Sequence, residues 1–297
     1  MSENLAGMKR KIDGATDLRS VVRTMKAVAA ANILQYEKSV RSLEGYYQTV
    51  ELGMSACLKK RSGTRQDAVL LNRKRTGDFH AVIFGSDQGL VGQFNDRIVG
   101  YATQAIASAT VKPKIWAVGE RVYGRLLSAG LHPERLFPLP SSVGAITPLV
   151  SEILIAADSV HSAGEYSELE IFYNHPTTAN EYAPVSERVL PFDEKWQSRL
   201  KGLPWPAKRT PEILGKPDTA LGGLIREYLF VSLFRACADS LASENASRLV
   251  AMQRADKNIE DLLKDLNEKY RRSRQMIIDE ELFDVLSGFE SVKGVSR

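Results

Sequence analysis

All twelve prolines of this 297-residue chain fall between Pro113 and Pro217. A proline inside a helix removes a backbone hydrogen bond and clashes with the preceding turn, at a cost of about 3 kcal/mol. Two proline-free ends around a proline-bearing middle therefore predict long helices flanking a mixed domain.

The ends carry the pattern that such helices need. Steps of three and four from Leu5 give Leu5, Met8, Ile12, Ala15, Arg19, Val22, Lys26, Ala29, Ile33, Tyr36, Val40, Leu43, Tyr47, Val50, Met54 and Cys57. Only Arg19 and Lys26 break this seam, which predicts a coiled-coil helix roughly 85 Å long. Around those two residues Leu18, Val21, Met25 and Val28 suggest a stripe slightly rotated by a local change of supercoil. A second seam runs Leu221, Leu224, Tyr228, Val231, Arg235, Ala238, Ala242, Asn245, Leu249, Met252, Asp256, Ile259, Leu263, Leu266, Tyr270, Ser273 and Ile277, thirteen of the seventeen apolar, then shifts by one to Ile278, Leu282, Val285 and Phe289. Its helix is expected to be on the order of 100 Å long, with Asp218 as N-cap and Gly288 as stop. Ala27, Ala29, Ala30 and Ala31 in one helix, and Ala236, Ala238, Ala242 and Ala246 in the other, suit close backbone approach. Residues 1–61 hold eleven Lys/Arg against six Asp/Glu, and residues 218–297 hold twelve against fourteen. This complementarity favours pairing of the two helices with each other, antiparallel, over pairing of each with another chain.

Strands and helices alternate in the middle. Strands are expected at Phe79–Gly85, Ile115–Val118, Arg135–Leu139, Leu169–Tyr173 and Ser186–Phe192. Helices are expected from Asn95, before Gly130 and over Thr147–Ser162. The order implies a small, mostly parallel, Rossmann-like α/β sheet. The expected organisation is an N-terminal coiled-coil helix over 1–62, an α/β domain over 76–192, a linker over 193–217 and a C-terminal coiled-coil helix over 218–290.

Several function classes recede on composition. No run of eighteen apolar residues offers a membrane span. The N-terminus has neither secretory nor transit character, so the chain is expected to begin near Met1 in a bacterial cytoplasm. Cys57 and Cys237, and His80, His132, His161 and His175, are too scattered for a metal site, and the cysteines read as buried small apolar residues. A net charge of +4 is too small to argue for a nucleic-acid partner. The basic runs Lys59-Lys60-Arg61 and Arg73-Lys74-Arg75 lack interleaved aromatics and read as solvated surface. The stretch Gly85-Ser86-Asp87-Gln88-Gly89-Leu90-Val91-Gly92 stands where a nucleotide-binding fold places its phosphate loop, after a strand and before a helix. Its glycines are spaced four and three apart and no Gly-Lys-Ser/Thr follows, so a structural tight turn is the favoured reading. No catalytic constellation, cofactor or metal site emerges.

Three blocks resemble the gamma subunit of F-type ATP synthases. Met8 to Ile12 and Met25 to Ala30 are similar to that family's basic start and its "MVAAS" turn. Ser86 to Asn95 resembles its "(S/T)DRGLCGGLN" loop. Ser243-Glu244-Asn245-Ala246-Ser247-Arg248-Leu249-Val250-Ala251-Met252, with Asp256, Asn258, Tyr270, Arg274-Gln275, Ile278, Glu281-Leu282 and Ser287-Gly288 at family spacing, is the most specific. The resemblance spans essentially the whole chain. It departs at Gln88, Val91, Gln93, Ala31-Asn32 and Asp279, which suggests a divergent branch, a second, alternate F-type ATPase.

The resemblance implies a non-catalytic rotor shaft. One charge crossing about 100 mV yields only about 2.3 kcal/mol, so several crossings must be pooled per ATP, and a stiff asymmetric shaft does this. Implied partners are the alpha and beta subunits of the catalytic ring, the epsilon subunit and the membrane ring of c subunits, with no nucleic acid and no cofactor. Arg248, Gln275 and Glu281 match positions where the shaft touches the catalytic subunits. The basic side of Lys9, Arg10, Lys11, Arg23 and Lys26, with Met25, suits acidic loops of that ring. Ser86, Asp87, Gly89, Gly92 and Asn95 form the foot-domain loop. The alternative functions are a nucleotide-dependent oxidoreductase on the α/β domain and a generic coiled-coil scaffold.

Overall fold

The computed structural model describes residues 2–60, 79–109, 111–161, 168–177, 181–190, 192, 194–209 and 211–294. Arg61 and the Arg73-Lys74-Arg75 run lie outside the described residues. In chain order the elements are α1 (Ser2–Lys60), β1 (Phe79–Phe84), α2 (Phe94–Ala107), β2 (Lys114–Val118), α3 (Glu120–Ser128), β3 (Arg135–Phe137), α4 (Ile146–His161), β4 (Glu168–Pro176), β5 (Tyr182–Leu190), α5 (Glu194–Gly202) and α6 (Pro217–Gly294). The chain divides into two compact units, Met1–Val28 with Leu249–Arg297, and Ala29–Arg248.

Two of the expected helix boundaries move. Pro217 opens α6, at a position where its missing N–H is not needed. The backbone carbonyl of Lys216 takes the N–H groups of Thr219 and Ala220, so Asp218 lies in the first turn instead of capping it. Gly288 does not stop the helix, which continues to Gly294; an interior glycine costs only about 1 kcal/mol. The stretch 193–217, expected as linker, contains α5. There Trp196 stacks on Phe192 with ring centroids 4.0 Å apart, and its Nε1–H donates to Tyr228 Oη at 3.1 Å.

The larger unit is built around a five-stranded sheet in the order β3-β2-β1-β4-β5. β1 pairs parallel with β2 and β4, β2 parallel with β3, and β4 antiparallel with β5. Alternation along β1 assigns the two faces, because successive side chains of a strand point opposite ways. Val82 and Phe84 enter one cluster with Ile146, Val150 and Ile153 of α4 and with Met54, Cys57, Leu233 and Cys237 of the long helices. Ala81 and Ile83 enter another with Ile98 and Ala102 of α2 and Val122 and Leu126 of α3. The long helices run antiparallel here: Asn32 Nδ2 reaches Asn245 Oδ1 at 3.3 Å, and Tyr46 Oη reaches Glu227 Oε2 at 2.6 Å.

The smaller unit is a helix pair. Ala15, Val22, Met252 and Ile259 are buried, with Met25, Ala255 and Leu263 packed against them. Arg19 and Lys26 do not displace the seam. Both remain in it, half-buried, and converge on Asp256: Arg19 Nε at 3.0 Å, Lys26 Nζ at 3.0 Å and Arg23 Nε at 3.5 Å, while Arg19 Nη2 also reaches Glu260 at 2.7 Å. The expected rotated stripe does not form, since Leu18, Val21 and Val28 are exposed. Of the four alanines expected at close approach in α1, Ala29 alone is buried; Ala27, Ala30 and Ala31 face outward. Ala236, Ala238, Ala242 and Ala246 of α6 are all buried.

The hydrogen bonds from Arg19 and then Lys26 lower the Asp256 carboxyl from its ordinary 3.8 to about 2. A depressed carboxyl contributes stability that is present above its unfolded pKa and lost as pH falls through its folded one. Helicity of the wild-type chain, followed by circular dichroism, should therefore weaken between about pH 4 and pH 2. Asp256→Asn should melt earlier at neutral pH and lose most of that acid dependence. Identical melting of variant and wild type across this range would remove Asp256 as the staple of the pair.

Candidate functional site

The loop after β1 is closed on itself by residues that the chain supplies. Asn95, in the first turn of α2, accepts the Ser86 N–H on Oδ1 at 3.0 Å and donates from Nδ2 to Ser86 Oγ at 2.8 Å. Ser86 Oγ donates onward to the Gln88 carbonyl at 2.9 Å. Asp87 accepts the Glu120 N–H at the start of α3 at 2.9 Å, and the Leu139 N–H at 3.3 Å. A helix N-terminus attracts anions because its first N–H groups lack intrahelical partners. At α3 that anion is the protein's own carboxylate.

Two glycines set the closeness of this packing. A Cβ on Gly85 would lie 2.2 Å from the Val122 Cβ, and Gly119, at φ +112°, would meet the Ser86 backbone at 2.8 Å. Gly92 has φ +56° and Leu90 φ +62°, so a leucine occupies a conformation that favours glycine. It does so exposed at the tip of the loop. The Gly89 Cβ position faces Arg121 Nη2 at 3.2 Å.

The loop is also hooked to α6. Ser247 Oγ donates to the Val91 carbonyl at 2.6 Å, and Val91 packs with Phe94 and Tyr182 in a small buried cluster. One turn earlier Ser243 Oγ donates to the Asn174 carbonyl at 2.9 Å, and Asn174 Nδ2 donates to the Phe94 carbonyl at 3.2 Å. One more turn back Asp239 meets His175 Nδ1 at 2.9 Å. Burial raises the Glu187 carboxyl of the neighbouring strand above the ordinary carboxylate range, against the pull of Arg235.

The positions expected to meet partners are in two situations. Lys9, Arg10, Lys11, Gln275 and Glu281 are exposed; Gln275 Nε2 donates to Asp279 Oδ1 at 3.2 Å. Arg23 and Lys26 are engaged by Asp256, and Met25 packs in the seam. Arg248 is held inside: its guanidinium donates to Glu244 at 2.5 Å, with side chains only 12% and 4% exposed. Burial raises the Glu244 carboxyl, and Arg248 pulls it back down. Sequence reasoning missed this pair although its spacing of four was visible. It also missed Ser243, Ser247, Asp239 and His175 as hooks, for which a run of small polar residues inside an apolar seam was the available signal.

Overpacking at a site with no room costs roughly 1–3 kcal/mol. Gly85→Ala should therefore lower the denaturation midpoint clearly, and an unchanged urea midpoint would show that the loop packing is looser than described. Titration calorimetry of the full chain should give no heat with ATP or NAD, because Asp87 and Asn95 already occupy the turn. Micromolar binding would overturn this reading and restore the oxidoreductase alternative.

A family model described as ATP synthase matches residues 4–292. The chain is 28% identical to an ATP synthase gamma chain of Clostridium pasteurianum, over 99% of this chain and 100% of that protein. It is 25% identical to one of Geotalea uraniireducens, over 98% and 99%. Among solved structures it resembles a chain from the rotor of the Euglena gracilis mitochondrial ATP synthase, with TM-score 0.66 at 16% identity, covering 94% of this chain and all of that one. It also resembles one from the central stalk and c-ring of the Tetrahymena thermophila enzyme, with TM-score 0.55 at 21% identity, covering 79% and 99%. With the paired terminal helices, the intervening sheet and a match over nearly its full length, this chain belongs to the ATP synthase gamma-chain family.

Proposed function

We propose that the chain is the central rotor shaft of an F-type ATP synthase or ATPase, linking ion flow through a membrane ring to ATP synthesis or hydrolysis at catalytic subunits. It is a non-catalytic subunit, and its partners are the alpha and beta subunits, the epsilon subunit and the ring of c subunits.

The observation that carries this reading is the exposed stretch 278–286 of α6. Among the residues whose burial is described, Ile277 is the last half-buried position, and residues 278–286 are exposed throughout. They include Ile278, Leu282, Phe283, Val285 and Leu286, joined by Met276, with Val285 71% exposed. A chain keeps such a row of large apolar side chains in water only where a partner covers it. A ring of catalytic subunits around the tip of a shaft supplies that cover. The exposed Leu90, held in an unfavourable backbone conformation by the locked loop, fits a second contact point, since strain of this kind concentrates at functional sites.

The finer reading divides the chain into a shaft (1–62 and 218–290) and a foot (76–192) joined by residues 193–217. It places Lys9, Arg10, Lys11, Gln275 and Glu281 at the bearing surface. The foot stands on the cytoplasmic face of a bacterial plasma membrane, as a peripheral subunit coupled to protons or sodium. No described helix is long and apolar enough to cross a membrane, and the two gamma chains of Clostridium pasteurianum and Geotalea uraniireducens to which the chain is similar are bacterial.

Affinity purification of the tagged chain from cells should bring down alpha and beta subunits; their absence removes the rotor reading. Gln275→Ala and Glu281→Ala should assemble with normal subunit content. Their turnover per complex should fall roughly two- to ten-fold, as loss of a hydrogen bond contributing about 0.5–1.5 kcal/mol implies. Wild-type turnover in both takes these residues off the bearing. Arg248→Ala should behave differently, because it strands a buried carboxylate at a cost of about 3–5 kcal/mol. Its denaturation midpoint should drop before any question of turnover arises, and an unchanged midpoint would place Arg248 outside the fold's polar core.

A further inference from the structure

Strand alternation gathers a set of ionisable groups where α6 rests on β4 and β5. Ile171 and Tyr173 of β4, and Val185 and Val189 of β5, pack into the cluster shared with the long helices. His175 and Glu187 keep the same alternation and face that side too. From α6, Asp239 meets His175 Nδ1 at 2.9 Å, and Arg235 lies 3.9 Å from the same carboxylate oxygen. Asp239 is buried, while the His175 side chain is 40% exposed and open to protons from solvent. A carboxylate only accepts, so Nδ1 carries the hydrogen of that bond and Nε2 is the atom that takes up or releases a proton.

The charges of this cluster do not balance at neutral pH. Arg235 is its permanent cation, set against the carboxylates of Asp239 and Glu187. The other groups facing Glu187 are the phenols of Tyr47 from α1, Tyr173 from β4 and Tyr228 from α6, which burial raises and so keeps neutral. Glu51 of α1, which acts on Tyr47 and Tyr228, is engaged by Arg199 of α5. With both carboxylates ionised and His175 neutral, one negative charge is left uncompensated beneath a packed helix, where it costs more than in water. One proton, on His175 or on Glu187, removes it. Burial raises the Glu187 carboxyl above its ordinary 4.5, Arg235 and His175 pull it back, and Asp239 adds to the rise. Groups coupled in this way titrate together, so the proton belongs to the cluster. The fold itself does not call for an ionisable side chain at 187, since among the described residues Glu187 makes no hydrogen bond or ion pair.

We propose that His175, Glu187, Arg235 and Asp239 form a proton-operated latch: α6 sits firmly on β4 and β5 while His175 or Glu187 holds a proton, and loosens there when both have released it. A carboxyl raised in the folded state contributes stability that is present below its unfolded value and lost as pH rises through its folded one. For Glu187 that loss begins above about pH 4.5 and continues upward. It is opposite in sign to the acid loss at Asp256 and lies at higher pH. The latch is internal to the larger unit and does not depend on the rotor reading.

The test is thermal unfolding of the full-length chain at pH 5 and pH 8, as wild type, Glu187→Gln, His175→Lys and the double variant. Tryptophan fluorescence follows the larger unit, because Trp116, Trp196 and Trp205 all lie in it. Gln stands in for a protonated Glu187 and Lys for a protonated His175. Either change should raise the midpoint at pH 8 by roughly 2–4 °C, as a several-fold gain in the folding equilibrium implies for a domain of roughly 150–250 residues. At pH 5 each should melt like wild type. The double variant should gain no more than either single one, because one added positive charge already balances the cluster. Amide exchange, corrected for its intrinsic pH dependence, should quicken several-fold in β4 and β5 of wild type between pH 5 and pH 8. It should hold steady there in Glu187→Gln, and in β2 of both chains. The latch is overturned if the single variants shift the midpoint equally at both pH values, or if their gains add. It is overturned equally if exchange in β4 and β5 quickens as much in Glu187→Gln as in wild type. Should one variant fail to fold, the other carries the same comparison.

Discussion

The larger unit depends on the burial of one stretch of α6, Val231–Ser247, on nearly every side. A helix buried all round is normally apolar all round. This one carries Ser232, Asp239, Ser240, Ser243, Glu244, Asn245 and Ser247 inside. Five of them find a partner, namely His175, the Asn174 carbonyl, Arg248, Asn32 and the Val91 carbonyl, while the Ser232 and Ser240 hydroxyls have no hydrogen-bond partner among the described residues. A buried polar group left without a partner costs about 1–3 kcal/mol. Sliding the helix by a turn would strand several at once. Apolar contact brings α6 to the sheet and to α1, and the polar hooks select one register among several that a seam of leucines and alanines would tolerate.

The loop after β1 shows how position in a fold and function separate. It follows a parallel strand and precedes a helix, the location that dinucleotide folds use for phosphate. Here the anion site at the start of α3 is filled by Asp87, the turn is tied by Asn95 to Ser86, and the outer side is held by Ser247. The same backbone geometry becomes a rigid joint. A joint suits a chain that carries torque, and it leaves Leu90 exposed at its tip.

In the smaller unit the seam is stapled by charge. Asp256 draws Arg19, Arg23 and Lys26 from three turns of α1, so a position that would be a defect in an apolar seam becomes a specificity element. Ionic partners inside a helix pair set register and direction, as polar residues at core positions do in coiled coils.

Much of this architecture was legible in the sequence because it rests on local periodicity. The seam positions from Leu5 to Cys57 and from Leu221 to Ile277 are all buried or half-buried. The strands around Phe79, Ile115, Arg135, Leu169 and Ser186 form in a mostly parallel sheet. Proline placement, three-four spacing and period-two alternation are properties of neighbouring residues, and neighbours are what a sequence displays. Tertiary structure decided the rest: that Arg19 and Lys26 stay in the seam, that Arg248 turns inward to Glu244, that Ala29 and not its neighbours packs, and that Asp87 closes the turn from within. Each depends on a partner brought close by folding, often from far along the chain, as Asp256 is for Arg19. Charge and hydrogen bonding act through distance in space, which the order of residues does not contain.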